Sequence, residues 1–358
     1  MKRLLGWISS GSVSVAMVWG NALYAQEVRP FSAWCEERAS LSPETQRTIE
    51  AMLHRAETTD CADADVILRE TTDLNLSVRE LTDLRPLASL TQLTRLDLSL
   101  NQISDLSVLS SLQNLDELLL SHNRISDISA LEGLPLQKLN LDRNQISDLS
   151  PLANTASLSV LFLNENQIYD IAPLADLANL RTLFINQNRI KSIEPLKGLI
   201  NLRTLSLNEN QIRNIEPLLP LTQMYELHLD ENNIVELEGL QKMTGLNELY
   251  LNGNDIVNLV PLRPLTSLTE LYIRDNHIRN IDVLPQLSSL NWVDFENNEI
   301  SDISPISKMT TLVRAIFVEN PVKTRSCPIE PSSICQFSSE SRASNPSQTT
   351  SRDNDLDR

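Results

Sequence analysis

Along most of this chain, apolar residues recur in steps of three, then two, then three. One unit reads Leu174, Leu177, Leu180, Leu183, Ile185, Asn188, Ile190, Ile193, with mostly polar residues between. Neither the 3.6-residue period of an amphipathic helix nor strict alternation fits a whole unit. The two-step, Leu183-Phe184-Ile185, predicts a short strand with alternate residues inward. The three-steps predict segments that turn so that every third residue points inward. A rectangular coil with one strand per turn satisfies both. A single coil cannot bury its own leucines, whereas stacked coils share one continuous core and a parallel sheet along one face.

The segment Leu161 to Ile168 recurs from Leu96, Leu118, Leu139, Leu183, Leu205, Leu227, Leu249, Leu271 and Val293, with a worn last copy at Ala315 to Pro321. Asparagine closes each copy, from Asn101 to Asn320, at a spacing of 22 residues except for 21 between Asn123 and Asn144. Asparagine sits where strand becomes turn. Its amide can bond backbone groups of its own and the next coil that the turn would orphan. The 21-residue unit lacks one residue around Leu134-Pro135-Leu136, and the next coil has Thr155 where later copies have Leu177, Leu199 and Leu221. Local irregularity is expected there. Pro151, Pro173, Pro195, Pro217, Pro261 and Pro305 share one register on the opposite side, which disfavours full helices and predicts 3₁₀ or extended segments.

The L-x-L-x-x-N-x-I segments, with Ser-Asp-Leu and Pro-Leu after them as in Ile146 to Leu152, resemble the 22-residue class of leucine-rich repeats. That class is found in bacterial internalins and in a eukaryotic phosphatase-regulator subunit. The match covers roughly Leu74 to Pro321. It implies an α/β, right-handed horseshoe solenoid whose concave face is a parallel sheet, here of about twelve strands, about 50–55 Å long at ~4.8 Å per strand. It names no partner.

The flanks read differently. Lys2 and Arg3, the apolar and small-residue stretch Leu4 to Trp19, and Ala25 form a signal-peptide pattern over 1–25, cut before Gln26. The alternative, an uncleaved anchor, suits poorly a short run broken by Ser9, Ser10, Ser12 and Ser14. Residues 26–73 have no repeat and are expected to form a helical cap. Ser42-Pro43-Glu44 is a helix start, followed by the stripe Ile49, Met52, Leu53, Ala56. A second short helix is expected around Val66 to Leu68. The solenoid spans 74–321, a C-terminal disulfide cap 322–337, and a disordered Ser-, Asn- and Asp-rich tail 338–358. Four cysteines allow three pairings. The caps lie about 50 Å apart while a disulfide needs Cα atoms within ~7 Å, so Cys35 pairs with Cys61 and Cys327 with Cys335. That pairing agrees with a secreted or periplasmic location.

Charge and residue inventory narrow the function. The formal charge is −17, from 47 acids against 30 bases, which disfavours nucleic acid and anionic membranes as partners. Losing Lys2 and Arg3 with the leader leaves 47 acids against 28 bases, or −19. His54, His122, His228 and His277 lie in no nucleophile-elbow setting. With only 8 glycines there is no phosphate- or dinucleotide-binding pattern. Cysteine spacing does not suit zinc. No catalysis, cofactor or metal is expected. The column Asp105, Asp127, Asp148, Asp170 reads as local turn capping rather than calcium binding.

Partner chemistry is sought in the columns flanking the strand leucines, which point to solvent on the concave face. Five of the chain's few aromatics fall there: Phe162, Phe184, Tyr250, Tyr272 and Trp292. Solvent-facing aromatics are candidate binding anchors, although stacking on neighbours to stabilise the sheet is the plainer alternative. Glu226, Glu248 and Glu270 form a carboxylate ladder beside them. Like charges on adjacent strands repel, so the ladder points to a basic partner or to a tolerant column. Asp230 and Asp294 would add to the charge preference. His228, in the tyrosine column, offers a pH-sensitive contact or ordinary polar surface. The expectation is an exported, non-catalytic protein that binds a protein partner on its concave face. The alternatives are a glycan-binding envelope or matrix module, using the same aromatics on sugar rings, and a scaffold that inhibits an exported enzyme.

Overall fold

A computed structural model describes residues 29–339. The leader expected at 1–25 and the tail from 340 onward lie outside the described residues.

Among the described residues three α-helices precede the sheet: α1 (Phe31–Glu36), α2 (Pro43–Arg55) and α3 (Cys61–Glu70). The Ser42 side chain accepts from Thr45 N–H and Pro43 occupies the first turn of α2, because proline has the right φ and no N–H to leave unpaired. Asp60 caps α3 by accepting from the Ala62 and Asp63 amides. The α2 stripe Ile49, Met52, Leu53 and Ala56 is buried over the open end of the first coil. Thr48 Oγ1 donates to Asp83 O at 2.6 Å and Thr45 Oγ1 to Asp83 Oδ2 at 2.6 Å, tying cap to solenoid. α3 is longer than its expected core of Val66 to Leu68, and α1 was not expected. The Cys35–Cys61 disulfide joins α1 to the start of α3, with Cα atoms 5.6 Å apart.

The coils then contribute β1 (Asp73–Asn75), β2 (Arg95–Asp97), β3 (Glu117–Leu119), β4 (Lys138–Asn140), β5 (Val160–Phe162), β6 (Thr182–Phe184), β7 (Thr204–Ser206), β8 (Glu226–His228), β9 (Glu248–Tyr250), β10 (Glu270–Tyr272), β11 (Trp292–Asp294) and β12 (Arg314–Ile316). Each pairs in parallel with the next. The expected count of about twelve is exceeded by one. Cys335–Gln336 pairs with β12 as β13, making an open sheet of 13 strands in chain order. The Cys327–Cys335 disulfide, Cα atoms 5.4 Å apart, lies at the start of that strand. Inward phenylalanines replace leucine near this end. Phe295 stacks on Phe317, and Phe317 on Phe337, which covers the last coil.

Behind the sheet run short 3₁₀ turns such as Ser150–Leu152, Ala172–Leu174 and Glu216–Leu218, each with proline in its first turn and its leucine buried. The 21-residue unit does not disturb the sheet. β3, β4 and β5 keep register, with Leu118, Leu139 and Leu161 as direct partners. The missing residue is absorbed on the far side, where Gly133 turns with φ +77 and meets no crowding. Thr155 is buried at 2 % exposure and its Oγ1 has no hydrogen-bond partner among the described residues, so the irregularity there is a polar defect in the core.

The asparagines work backward along the chain. Asn166 Nδ2 donates to Leu163 O at 3.2 Å and Asn164 O at 3.1 Å in its own coil, and to Leu141 O at 2.9 Å in the preceding one. Its Oδ1 accepts from Ile146 N–H of the preceding coil at 3.0 Å. The same set recurs at Asn210 and Asn254. The expected link to the next coil is therefore corrected to the one before. To bring the amide inward, the residue before each asparagine takes positive φ, for example Leu100 (58), Glu165 (53) and Glu209 (53). A left-handed conformation strains a side chain that glycine would spare.

Candidate functional site

Two outward positions flank each inward strand residue, and a third follows two residues later. The first and second carry all the expected site residues except Asp230, which lies in the third. The third supports them, a role that was not foreseen.

The rings of the second position do not stand out into solvent as expected. They lie along the sheet and cover one another, because successive strands are only ~4.8 Å apart. Phe162 and Phe184 stack at 5.2 Å. His228, Tyr250 and Tyr272 form a continuous pile, with centroids 4.1 and 4.6 Å apart and planes within 8° and 5° of parallel. Phe162 is 7 % exposed and Tyr272 2 %, so both are buttresses. Phe184, His228 and Tyr250 are half-buried and keep a surface for contact. Trp292 occupies the first position, apart from this pile. It is half-buried, with the Arg314 guanidinium 6.0 Å from its ring centre.

Each ring of the pile is held by the glutamate two residues before it. His228 Nε2 donates to Glu226 Oε1 at 2.6 Å. The Tyr250 hydroxyl donates to Glu248 Oε2 at 2.9 Å and the Tyr272 hydroxyl to Glu270 Oε2 at 2.7 Å. The carboxylate ladder is thus three hydrogen-bonded rungs rather than bare repelling charges. The environments differ. The His228 hydrogen bond holds the Glu226 carboxyl below its ordinary range despite burial. Burial pushes Glu248 up, aided by Glu226 and Glu270 on either side. Burial and the Glu248 charge push the Tyr250 phenol up. His228 is thus a stacked, hydrogen-bonded member of the pile rather than ordinary polar surface.

The third position carries Asp142, Asn164, Asn186, Asn208, Asp230 and Asn252 in consecutive coils. Each accepts the backbone N–H of the same position one coil on. Asn164 N–H donates to Asp142 Oδ1 at 2.6 Å, Asn186 N–H to Asn164 Oδ1 at 2.8 Å, and Asn252 N–H to Asp230 Oδ1 at 2.7 Å. The ladder ends at Arg274, whose N–H donates to Asn252 Oδ1. Outside it, in β2, β4 and β11, the second position does this work itself. Asp97, Asn140 and Asp294 accept from Ser99, Asp142 and Glu296 N–H. The Asx ladder therefore releases the second position from backbone duty across β5–β10, the strands where Phe162, Phe184, Ser206, His228, Tyr250 and Tyr272 sit.

This geometry revises two expected charge-setting residues. Asp230 is a ladder member whose carboxyl burial raises to about 6, with hydrogen bonds from Asn252 opposing the rise. Asp294 is 4 % exposed, caps its own strand and lies 3.7 Å from Arg274 Nε. Both serve the backbone rather than presenting free charge. The turn column behaves as expected: Asp105, Asp127, Asp148 and Asp170 accept from the amide two residues on. Among the described residues, no group of three or more His, Cys, Asp or Glu is placed to hold a metal ion.

The family model described as Leucine Rich repeats (2 copies) matches residues 113–154, 156–198 and 178–220. The crystal structure of an internalin, InlF, from Listeria monocytogenes is similar at 33% identity and a TM-score of 0.75, covering 79% of this chain and 86% of that one. Internalin C2 of the same organism is 28% identical with a TM-score of 0.50, over 61% of this chain and 88% of that one. A leucine-rich repeat protein of Leptospira interrogans, at 22% identity, TM-score 0.56, over 72% and 80% of the two chains, shares the fold. No curated protein matches the chain, and none of these likenesses indicates a catalytic family. On the InlF likeness, with the coil geometry above, this chain belongs to the internalin-like leucine-rich repeat proteins.

Proposed function

We propose that this chain is an exported, non-catalytic protein that binds a protein partner across β5–β10 of its concave face. The fold and its relatives support a protein–protein interaction module. The observation that carries the location is the Asx ladder, which frees the second position over six consecutive strands, where it holds five aromatic rings. Phe184, Tyr250 and His228 supply contact surface, backed by Phe162 and Tyr272, with Trp292 alongside. Glu226, Glu248 and Glu270 favour a partner with basic groups there. The organisation proposed is leader 1–25, helical cap 26–73, solenoid 74–321, disulfide cap 322–337 and tail 338–358. Two disulfides suit an oxidising compartment, periplasmic or extracellular. Among the described residues no helix is long and apolar enough to cross a membrane.

The test is capture from the producing cell's envelope and medium with residues 26–358, beside the Phe184→Ala, Tyr250→Ala variant. A protein retained by the first and lost by the second, with the melting temperature lowered by only a few degrees, supports the site. Equal loss from Arg263→Ala on the convex side overturns it. A bound neutral glycan, unmoved by salt where an acid-flanked protein contact weakens, would overturn the protein reading.

A further inference from the structure

One residue per coil marks the rim of the concave face, just before each strand. In the middle of the stack these are Arg181, Arg203 and Tyr225. Arg203 N–H donates to Arg181 O at 2.9 Å, so the two arginines stand one coil apart, ~4.8 Å along the sheet. Both are exposed, and among the described residues neither has an ion-pair partner. Cations elsewhere on this face are paired. Arg95 bridges Asp73 and Glu117, Lys138 meets Glu117 and Arg274 meets Glu296. Two uncompensated arginines on adjacent coils repel each other, and they do so in a chain of net charge −17.

A cleft opens beside Arg203 for a local reason. In several other coils a side chain below the rim reaches back to the preceding coil. Asn114 Nδ2 donates to Thr91 O, Asn179 Nδ2 to Ala156 O and Asn201 Nδ2 to Ala178 O, each at 2.8 Å. Gly245 holds this position in β9's coil and has no side chain to reach Thr222 O. The space left is a cleft of about 390 Å³ lined by Arg203, Thr204, Thr222, Gln223, Tyr225 and Gly245, among others. Tyr225 is 53 % exposed and forms one wall.

We propose that this rim cleft, with Arg181 and Arg203, is a docking site for an acidic, extended polypeptide segment. Guanidinium forks match carboxylates in a bidentate way. Acids at alternate positions of an extended strand lie ~6.6 Å apart, within reach of two flexible arms one coil apart. Gln223 and Thr222 offer donors and a carbonyl to the segment's backbone, and the Tyr225 ring covers an apolar side chain. The site does not depend on the concave reading, because it takes a ligand of the opposite sign. If both serve one partner, that partner's surface changes from acidic to basic on passing from β7 to β8.

The test is calorimetric titration of the chain with a hexaglutamate peptide and, separately, a hexalysine peptide, at low salt. Hexaglutamate is expected to bind despite the overall negative charge. Binding falls at least tenfold in Arg181→Glu, Arg203→Glu and several-fold in Gly245→Asn, which restores the bridging side chain without changing charge. Hexalysine binding is undiminished in both variants. The Phe184→Ala, Tyr250→Ala variant keeps hexaglutamate, so failure of the concave site leaves this one standing. No hexaglutamate binding, or equal binding by the wild type and both rim variants, overturns the proposal.

Discussion

Asp230→Asn is expected to stabilise the solenoid at neutral pH and to leave it unchanged in acid. The position needs an acceptor, since Asp230 Oδ1 takes the Asn252 N–H at 2.7 Å, and asparagine supplies one at Asn186 and Asn208 of the same ladder. It does not need a charge. Burial raises the carboxyl from 3.8 to about 6 in the folded chain. A folded pKa above the unfolded one means that folding binds protons, so stability falls as pH rises from about 4 to about 6 and stays low above. At 1.36 kcal/mol per pH unit, the full cost above pH 6 is about 3 kcal/mol. Asp142, also raised to about 6 by burial, adds a parallel loss. Urea unfolding at pH 7 should show a midpoint gain for Asp230→Asn of up to about 1 M, given m-values of a few kcal/mol per molar for a chain this long. The gain should vanish as the pH falls to about 3, below the carboxyl's pKa in both states. A variant no more stable at pH 7, or equally stabilised at both pH values, refutes the reasoning and makes the carboxylate an asset in place.

Two further outcomes test the scaffold by the same unfolding assay. Asn188→Leu leaves the buried Ile168 N–H without its acceptor at 2.9 Å and should cost about 2–3 kcal/mol; a loss below about 1 kcal/mol would mean the ladder is dispensable. Val78→Gly relieves a β-branched residue at φ 57 that is 65 % exposed, and should raise stability by about 0.5–1 kcal/mol, opposite in sign to the usual effect of an exposed glycine; a decrease would show that the left-handed turn carries little strain.

The fold was legible because its determinants are periodic. The leucine steps placed the strands, the asparagines their ends, and the prolines the 3₁₀ side. Ser42-Pro43 marked a helix, and the length of the stack fixed the cysteine pairs. What was missed is not periodic. α1 has no side-chain cap at its start and only six residues, too few to show a stripe. β13 has two residues and pairs only at the end of the stack. The site was legible as to which face, since alternation sets that, but not as to exposure. How far a ring stands out depends on its neighbours one coil away, and Phe162 and Tyr272 are covered by them. Asp230 and Asp294 carry the pattern of surface charge, but their carboxylates turn back to the backbone, Asp230 to the next coil and Asp294 to its own. The run of Asx from Asp142 to Asn252 carried the same kind of signal as the inner asparagines: a short polar acceptor repeated every coil is aimed at a neighbouring coil's backbone, the next coil for this run and the preceding one for the inner asparagines.

The backward direction of the inner asparagine bonds makes the solenoid's two ends inequivalent. Every coil's inward-facing amide, such as Ile190 N–H, waits for an oxygen that belongs to the following coil, here Asn210. A chain emerging from the ribosome therefore completes each turn only when the next has been synthesised, and growth always ends on one unmet amide. Shortening the chain from its C-terminal end by whole repeats leaves an unmet backbone donor at every length, whereas removal from the N-terminal end leaves an asparagine whose Oδ1 has lost its donor and whose Nδ2 keeps the carbonyls of its own coil. Families of shortened variants should thus behave differently from the two ends, with the C-terminal series the more prone to fray and to recruit a foreign carbonyl.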